Sequence, residues 1–232
     1  MTFLVVVAVV IGGGGLVEYT KVFLRREANA RSKPVSAEVA SKLESSSKTT
    51  HCWLIGDSRA AAWSTFPIKS HTNLGVHRAT TDEIRWAFEN VSIDAGQCNS
   101  VYIQCGINDL KSLSYSQKKT EDVAIRASAN LLRLVDIFQS AGVKQIVVLG
   151  VFPVGKISVT RRPFWDGKIE EGRTIMNSLL EKGQKAGGYT FLSCDEILGD
   201  KNLFIDELHL NESAYEELNH LIKDYLFGGA IE

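Results

Sequence analysis

The chain has 232 residues, of which 44% are hydrophobic and 23% are charged, and its formal net charge is −1. This balance is typical of a globular protein, and the length suits one domain of roughly 180 to 200 residues with an additional segment. A net charge near zero argues against nucleic-acid binding, because domains that bind nucleic acid usually carry an excess of basic residues.

The N-terminal segment is apolar and uncharged from residue 3 to residue 17. Together with Met1 and Thr2 it is just long enough to span a bilayer. No basic residue precedes it, and the first Ala-x-Ala sequence of the chain, at residues 28–30, lies far beyond it. We therefore expect a membrane anchor with a basic flank over residues 1–26, in preference to a cleaved signal peptide or a buried strand.

Residues 27–50 are rich in Ser, Lys, Ala and Glu and include Pro34, which predicts a linker with a short helix from Ser36 to Leu43. Residues 51–232 then form the main domain. Several basic residues follow the apolar segment, and the positive-inside rule therefore favours a cytoplasmic position for this domain.

The main domain alternates between short apolar runs and longer amphipathic segments. This alternation predicts a five-stranded parallel sheet with helices on both faces, built by right-handed crossovers. The predicted strands lie near residues 52–55, 71–76, 101–105, 145–152 and 189–193. The predicted helices lie near residues 84–91, 121–140, 168–185 and 212–226, and Asn211 is placed as the N-cap of the last one.

The four cysteines show no Cys-x-x-Cys pair and no spacing to histidine that is typical of a zinc site. Cys52 and Cys105 are interpreted as small buried residues on strands. If their strands are neighbours, Cys98 lies near the level of Cys52, and one disulfide is left open. Cys194 falls on a later strand, which argues against a second disulfide.

The first strand of the main domain runs from Cys52 into Gly56-Asp57-Ser58, and helix-forming residues follow. Ser58 therefore stands at the carboxyl end of a strand and near a helix N-terminus, where clefts form in open α/β sheets and negative charge is favoured. We interpret Ser58 as a nucleophile; the alternative is that its hydroxyl only caps the helix. Asp57 is expected to accept backbone hydrogen bonds at the turn.

Three further polar stretches lie at predicted strand ends or helix starts: residues 73–75, 106–109 and 206–209. Asp206 and His209 are three residues apart, so a turn places both side chains on one side. The carboxylate then holds Nδ1–H of the imidazole and leaves Nε2 to accept a proton from a serine. The backbone N–H groups of Ser58 and Gly75 and the side-chain amide of Asn108 are suitable donors for an oxyanion.

These motifs, in this order over roughly residues 52 to 226, resemble the SGNH (GDSL-type) hydrolases, which are esterases, lipases and acetyl-esterases. The resemblance implies a flavodoxin-like three-layer α/β/α sandwich that uses no metal and no organic cofactor. It implies acyl-ester hydrolysis through an acyl-serine. The implied catalytic residues are Ser58, His209 and Asp206, and the implied oxyanion hole is Ser58, Gly75 and Asn108.

One position departs from the family pattern. Relatives often carry a second glycine three residues after the glycine of the second motif, and here that residue is Arg78. A long cation near the cleft is a candidate contact for an anionic substrate; the alternative is a solvated residue. Arg162 and Trp165, in the irregular stretch after the fourth strand, are further candidates for the wall of the substrate cleft.

Three alternatives to the esterase interpretation can be drawn from the sequence. Residues 150–156 match the G-x-x-x-x-G-K pattern of a phosphate-binding loop, but Ile157 follows where Ser or Thr must reach Mg²⁺. A catalytically silent binding module on the same fold is a second alternative, and acyl transfer to a sugar hydroxyl by the same triad is a third. We expect small or glycan-borne acyl esters as substrates. Since anchored relatives often work outside the cytoplasm, we favour the outer face of a bacterial inner membrane over the cytoplasmic side.

Overall fold

The computed structural model describes residues 32–46, 52–93, 96–162 and 165–227. The membrane anchor expected over residues 1–26 lies outside these ranges and stays a prediction. Within the described ranges, no helix is both long enough and apolar enough to cross a bilayer.

Five parallel strands form one sheet: β1 (Cys52–Gly56), β2 (His71–Asn73), β3 (Ser100–Gln104), β4 (Gln145–Leu149) and β5 (Thr190–Leu192). Their order across the sheet is β2-β1-β3-β4-β5, which is the flavodoxin-like order. The direction of strand addition reverses at β1, and ligand crevices form beside the carboxyl ends of strands at such a point. The predicted parallel sheet is therefore confirmed, and the carboxyl ends of β1 and β3 flank the point where a crevice is expected.

The pairing of β1 with β3 fixes where β1 ends. Gly56 lies opposite Gln104, and a Cβ at position 56 would stand 1.8 Å from the Gln104 carbonyl oxygen. Any side chain here would push the two strands apart. The N–H of Asp57 continues the pairing by donating to the Gln104 carbonyl at 3.2 Å, so the residues after Gly56 are held at the sheet edge.

Seven α-helices accompany the sheet in the part of the chain that the structure describes. These helices are α1 (Ser32–Ser45), α2 (Ser58–Ala61), α3 (Thr81–Glu89), α4 (Ile107–Lys111), α5 (Thr120–Ser140), α6 (Lys168–Gly187) and α7 (Glu212–Phe227). The side chain of Asn211 caps α7, as expected, by accepting a hydrogen bond from the N–H of Ala214 at 3.0 Å.

The strand β1 shows how the two faces of the sheet are covered. Alternate residues point to opposite sides: Trp53 and Ile55 enter one apolar core, and Cys52 and Leu54 enter the other. The first core packs under α1, α3, α5 and α6, and the second packs under α2 and α7. The molecule is thus a three-layer α/β/α sandwich.

Helix α1 lies in the segment that the sequence describes as a linker. The structure has a helix of 14 residues here, longer than the expected Ser36–Leu43. Val35 and Val39, one helical turn apart, are buried in the first core, and Lys42 Nζ donates a hydrogen bond to the carbonyl of Gly75. Burial of these two valines is the physical reason that this segment folds onto the domain.

Two smaller expectations change in the structure. The apolar residues of the segment 121–140 predict a broad buried stripe that includes Ile125, but Ile125 is 48% exposed. It lies two residues from the buried Val123 and so on another side of α5. All four cysteines are buried and outside any disulfide, so the bond left open between Cys52 and Cys98 is not formed. Cys98 Sγ instead donates to the Ser100 carbonyl at 2.9 Å.

We expect Val39→Ala to lower the free energy of unfolding by about 1 to 2 kcal/mol, because it removes two buried methyl groups and leaves a cavity between α1 and the core. The measurement is urea unfolding of the full chain. Ser41→Ala, on the exposed side of the same helix, is the control and should be neutral. Equal behaviour of the two variants would show that α1 does not pack on the domain.

Candidate active site

The turn between β1 and α2 carries Ser58. Asp57, and not Ser58, is the N-cap of α2, and its Oδ1 accepts from the N–H of Arg59 at 2.9 Å. Ser58 is the first residue of this four-residue helix and is 8% exposed. The capping alternative for Ser58 is therefore not what the structure shows, since the cap is supplied by its neighbour.

Asp57 is fully buried beneath this turn, and its Oδ2 has no hydrogen-bond partner among the described residues. Burial raises the pKa of Asp57, and the positive charge of Arg59 opposes that rise. The carboxylate accepts a backbone hydrogen bond within the turn of Ser58, as the sequence predicted.

Asp206 and His209 meet in a tight turn before α7. Asp206 Oδ2 lies 2.8 Å from Nδ1 of His209, while Oδ1 accepts from the N–H groups of Leu208 at 2.7 Å and His209 at 2.8 Å. Partial burial by itself would raise the pKa of Asp206, but the hydrogen bonds from His209 and Leu208 outweigh burial and lower it. The carboxylate thus orients the imidazole through Nδ1 and leaves Nε2 available.

Arg59 connects the turn of Ser58 with the turn of His209. Its side chain is fully buried, and Nε donates to the carbonyl oxygen of Leu208 at 2.7 Å. Arg59 directly follows Ser58, and Leu208 directly precedes His209. One hydrogen bond therefore joins the residue after Ser58 to the residue before His209. Ser58 and His209 themselves are 151 positions apart in the sequence (209 − 58).

The rest of the Arg59 guanidinium binds the loop after β4. Nη1 donates to the carbonyl of Phe152 at 2.8 Å and Nη2 to the carbonyl of Pro153 at 3.1 Å. The carbonyl of Arg59 itself accepts from the hydroxyl of Tyr215 at 2.8 Å. Burial lowers the pKa of Arg59 to about 10, and the negative charge of Asp57 opposes that effect. Arg59 remains a cation at neutral pH, so these are charge-assisted hydrogen bonds.

Gly75, a predicted oxyanion donor, packs directly on α2, the helix that Ser58 begins. A Cβ at this position would lie 2.3 Å from the backbone nitrogen of Ala61, so only glycine fits. Its N–H, however, donates to Oδ1 of Asn73 at 2.9 Å, and Nδ2 of Asn73 donates to the Ala60 carbonyl at 2.8 Å. The structure therefore places Gly75 beside α2 with its N–H already bonded to a side chain.

Asn108, the other predicted side-chain donor, is the second residue of α4, which begins at the carboxyl end of β3. Nδ2 donates one hydrogen to the Ala79 carbonyl at 3.0 Å, and a side-chain amide carries a second hydrogen. The next residue, Asp109, anchors α4 to the start of α3 by accepting from Thr81 N–H at 2.9 Å and Thr81 Oγ1 at 2.7 Å. Burial raises the pKa of Asp109 to about 6, although the two bonds from Thr81 act against that rise.

The three candidates for the substrate wall occupy different environments. Arg78 is exposed and has a positive φ of 66°. Trp165 is partly buried against the first core, and Arg162 is exposed in a surface turn. Its neighbour Arg161 is the residue that reaches the turn of His209, because its Nε lies 3.4 Å from Oε1 of Glu207.

The phosphate-loop alternative does not fit the backbone. Residues 150–158 are irregular, and no helix begins at Lys156, where such a loop needs a helix N-terminus. The N–H of Gly155 donates instead to the carbonyl of Glu207 at 3.1 Å, so this loop supports the turn of His209. Among the described residues, no group of three or more His, Cys, Asp or Glu side chains is placed to hold a metal ion.

Sequence reasoning overlooked Arg59 as a part of the site. The available signal was a long charged residue in an otherwise small and apolar segment, Ala60-Ala61-Ala62, directly after a buried strand. Such a residue must be solvated or must find buried acceptors, and the sequence does not show that the acceptors come from loops 93 to 149 positions away.

The geometry described above can be compared with known proteins. No protein-family model matches the sequence, and no curated protein matches it significantly. Solved structures do match. A protein from Bacteroides fragilis, provisionally described as an acylhydrolase, superposes with a TM-score of 0.62 at 14% identity, covering 79% of this chain and 90% of its own.

Two carbohydrate esterases match in the same way. An acetylxylan esterase from Geobacillus stearothermophilus gives a TM-score of 0.56 at 15% identity, covering 75% of this chain and 92% of its own. A carbohydrate acetylesterase from Sinorhizobium meliloti gives 0.53 at 17% identity, covering 77% and 99%. The protein has the three-layer fold of these esterases. At such identities the likeness concerns the fold, and the chemistry must be argued from this chain's own residues.

We expect Arg59→Met to lower the free energy of unfolding by about 3 kcal/mol, because three buried carbonyl groups lose their donor and Asp57 loses its neighbouring cation. Chemical denaturation measures the change, and the NMR signal of the His209 imidazole should shift at the same time. Arg126→Met, on the exposed face of α5, is the matched control. A wild-type unfolding midpoint for Arg59→Met would contradict this account of the site.

Asp109 predicts a pH dependence of stability. Its pKa is about 6 in the folded protein and 3.8 in the reference state, so the folded protein binds this proton more tightly. Its contribution to the free energy of unfolding therefore decreases as the pH rises from about 4 to about 6. The measurement compares the free energy of unfolding of the wild type with that of Asp109→Asn at several pH values. The wild-type value minus the variant value should decrease over this interval, and the exposed Asp136→Asn is the control. A difference that increases with pH would contradict a raised pKa of Asp109.

Proposed function

We propose that this protein is a serine esterase that hydrolyses small acyl esters through an acyl-serine intermediate. The observation that carries the proposal is the Asp206–His209 pair, with 2.8 Å between Oδ2 and Nδ1, on a turn that Arg59 binds at 2.7 Å beside Ser58. A hydroxyl at a strand end, an oriented imidazole and a carboxylate are the three groups that a serine hydrolase needs.

In the first half of the reaction, Ser58 Oγ attacks the ester carbonyl carbon while His209 Nε2 takes the hydroxyl proton. The carbonyl oxygen becomes an oxyanion in the tetrahedral intermediate. That intermediate collapses when the imidazolium gives its proton to the departing alcohol oxygen, and the acyl group stays on Ser58. In the second half, water takes the place of the alcohol: His209 accepts its proton, and the acid leaves as the proton returns to Ser58.

Asp206 acts on His209 and does not take part in proton transfer itself. The hydrogen bonds that lower its pKa keep it ionised, and an ionised carboxylate both selects the tautomer with hydrogen on Nδ1 and stabilises the imidazolium. Its second oxygen keeps the turn closed through the two backbone N–H groups.

The proposed oxyanion hole consists of the N–H of Ser58, the N–H of Gly75 and the second hydrogen of Asn108 Nδ2. Ser58 and Asn108 need no rearrangement of a described hydrogen bond to donate. Gly75 must exchange its 2.9 Å bond to Asn73 Oδ1 for the oxyanion. The charge on the oxyanion favours that exchange, because charge-assisted hydrogen bonds are roughly twice as strong as neutral ones.

For the substrate we propose acyl esters of the acetyl type carried by a carbohydrate, with Arg78, Arg162 and Trp165 at the cleft wall. The descriptions of the acetylxylan esterase and the carbohydrate acetylesterase support this choice. A Ser→Ala variant of the acetylxylan esterase is described as a catalytic mutant, which supports a serine nucleophile on this fold. We further propose an N-terminal membrane anchor and an extracytoplasmic position for the domain.

We expect the wild-type protein to hydrolyse 4-nitrophenyl acetate and Ser58→Ala to lose at least about 10³-fold in kcat, because the nucleophile is removed. A fluorophosphonate should label the wild type on the peptide that contains Ser58. Ser64→Ala, an exposed serine in the next loop, is the control and should keep both activities. Equal hydrolysis by wild type and Ser58→Ala, or labelling at another serine, would refute the proposal.

A further inference from the structure

Three cationic side chains belong to the segments that build the site. Arg78 follows Gly75 by three residues, Lys111 follows Asn108 by three residues, and Arg161 belongs to the loop after β4. They come from three different parts of the chain, so their proximity is a property of the tertiary structure and not of a local run of basic residues.

Arg161 is tied to the turn of His209. Its Nε lies 3.4 Å from Oε1 of Glu207, whose side chain is 6% exposed, whereas that of Arg161 is 63% exposed. Glu207 stands two residues before His209. The exposed guanidinium is therefore held, through Nε, by a buried carboxylate of the turn that carries His209.

Lys111 is the last residue of α4, one helical turn after Asn108. Its side chain is half-buried, and within the described part of the chain its Nζ makes no hydrogen bond and no ion pair shorter than 4.0 Å. Burial lowers the pKa of Lys111, the charge of Arg161 lowers it further, and Arg78 acts in the same direction. Glu207 and Asp57 act against these effects, but each of these carboxylates already has an arginine, Arg161 for Glu207 and Arg59 for Asp57.

The backbone of Arg78 adds an independent observation. A φ of 66° is left-handed, and this region costs a non-glycine residue of order 1 kcal/mol. Glycine is the residue that avoids this cost. An arginine here keeps a long cation next to the site in spite of the strained backbone.

We propose that Arg78, Lys111 and Arg161 form a binding site for an anionic group, a carboxylate or a phosphate, on the ester substrate. The inference rests on the proposed esterase function and narrows its substrate class. Of the three, only Arg161 lies within 4.0 Å of a carboxylate among the described residues, that of Glu207. Arg78 and Lys111 therefore bring positive charge without an ion-pair partner to the edge of the sheet that carries Ser58 and Asn108. A neutral acetyl ester offers no group to this cluster, whereas an anion accepts hydrogen bonds from all three side chains.

The test measures binding apart from turnover. In the Ser58→Ala protein, calorimetry compares 4-acetoxybenzoate, 4-acetoxyphenyl phosphate and the neutral 4-acetoxybenzamide, which differ in the group opposite the ester. We expect the preferred anionic ester to bind about tenfold more tightly than the amide, equivalent to 1.4 kcal/mol. The two anionic esters distinguish a carboxylate site from a phosphate site. The preference should shrink as salt is raised from 50 to 500 mM.

Variants assign the preference to the cluster. Adding Lys111→Met to the Ser58→Ala protein should abolish most of the preference for the anionic ester. Adding Lys144→Met, which removes the same charge at the opposite edge of the sheet, should leave that preference unchanged. Arg78→Gly should reduce the preference while leaving the unfolding midpoint unchanged or higher, because glycine relieves the left-handed backbone. A loss of preference together with retained stability separates binding from folding.

Equal affinity for the anionic and neutral esters overturns the inference, as does a preference that survives Lys111→Met. Turnover of these three esters by the protein with Ser58 intact separates the two proposals. Hydrolysis of all three at similar kcat/KM leaves the esterase proposal standing and removes the anion site. An anion preference in binding without hydrolysis of any ester supports the anion site and removes the esterase proposal.

Discussion

The buried guanidinium of Arg59 is the interaction on which the geometry of the site depends. A cation removed from water is tolerated only when its donors find good acceptors, and here the acceptors are carbonyl groups of Phe152, Pro153 and Leu208. If either loop moved away, a buried charge would lose its solvation. The cost of that loss holds the turn of Ser58, the loop after β4 and the turn of His209 in one arrangement.

The sheet supplies the platform for this arrangement. Because β1, β2 and β3 are parallel, the segments that follow them leave the sheet at the same edge. The reversal of strand order at β1 is the kind of point at which a crevice forms there. Close backbone contacts then reduce the distances between these segments: Gly56 touches β3 and Gly75 touches α2. Asp109 anchors the third segment to the start of α3. The polar residues of the site are thus supported by buried backbone contacts and not by flexible loops alone.

Several hydrogen bonds at the site are already satisfied within the protein. Gly75 N–H binds Asn73, and one hydrogen of Asn108 binds Ala79. These bonds keep polar groups satisfied at a sheet edge, and they also define what a substrate must displace. The cations at this edge differ, because Lys111 and Arg78 make no such bond within the described residues. That contrast is why our proposal of an anionic group on the substrate rests on the cations and not on the amides.

The sequence by itself determined the features that depend on local patterns. Alternating apolar runs and amphipathic segments indicated the parallel sheet and its main helices, and the three-residue spacing of Asp206 and His209 indicated a carboxylate that orients an imidazole. Those two residues meet as expected because one turn is enough to join them. The sequence also indicated where β1 and β3 end, because the change from strand to helix takes place at a glycine within a few residues.

Only the tertiary structure decided which distant groups meet. It placed Arg59 among carbonyl groups of two remote loops, bound the N–H of Gly75 to a side chain, and brought Arg161 to the turn of His209. It also packed α1 onto the domain through two valines in a segment of polar composition. Each of these contacts joins elements whose relative position is set by packing of the whole core, and no local pattern of residues contains that information.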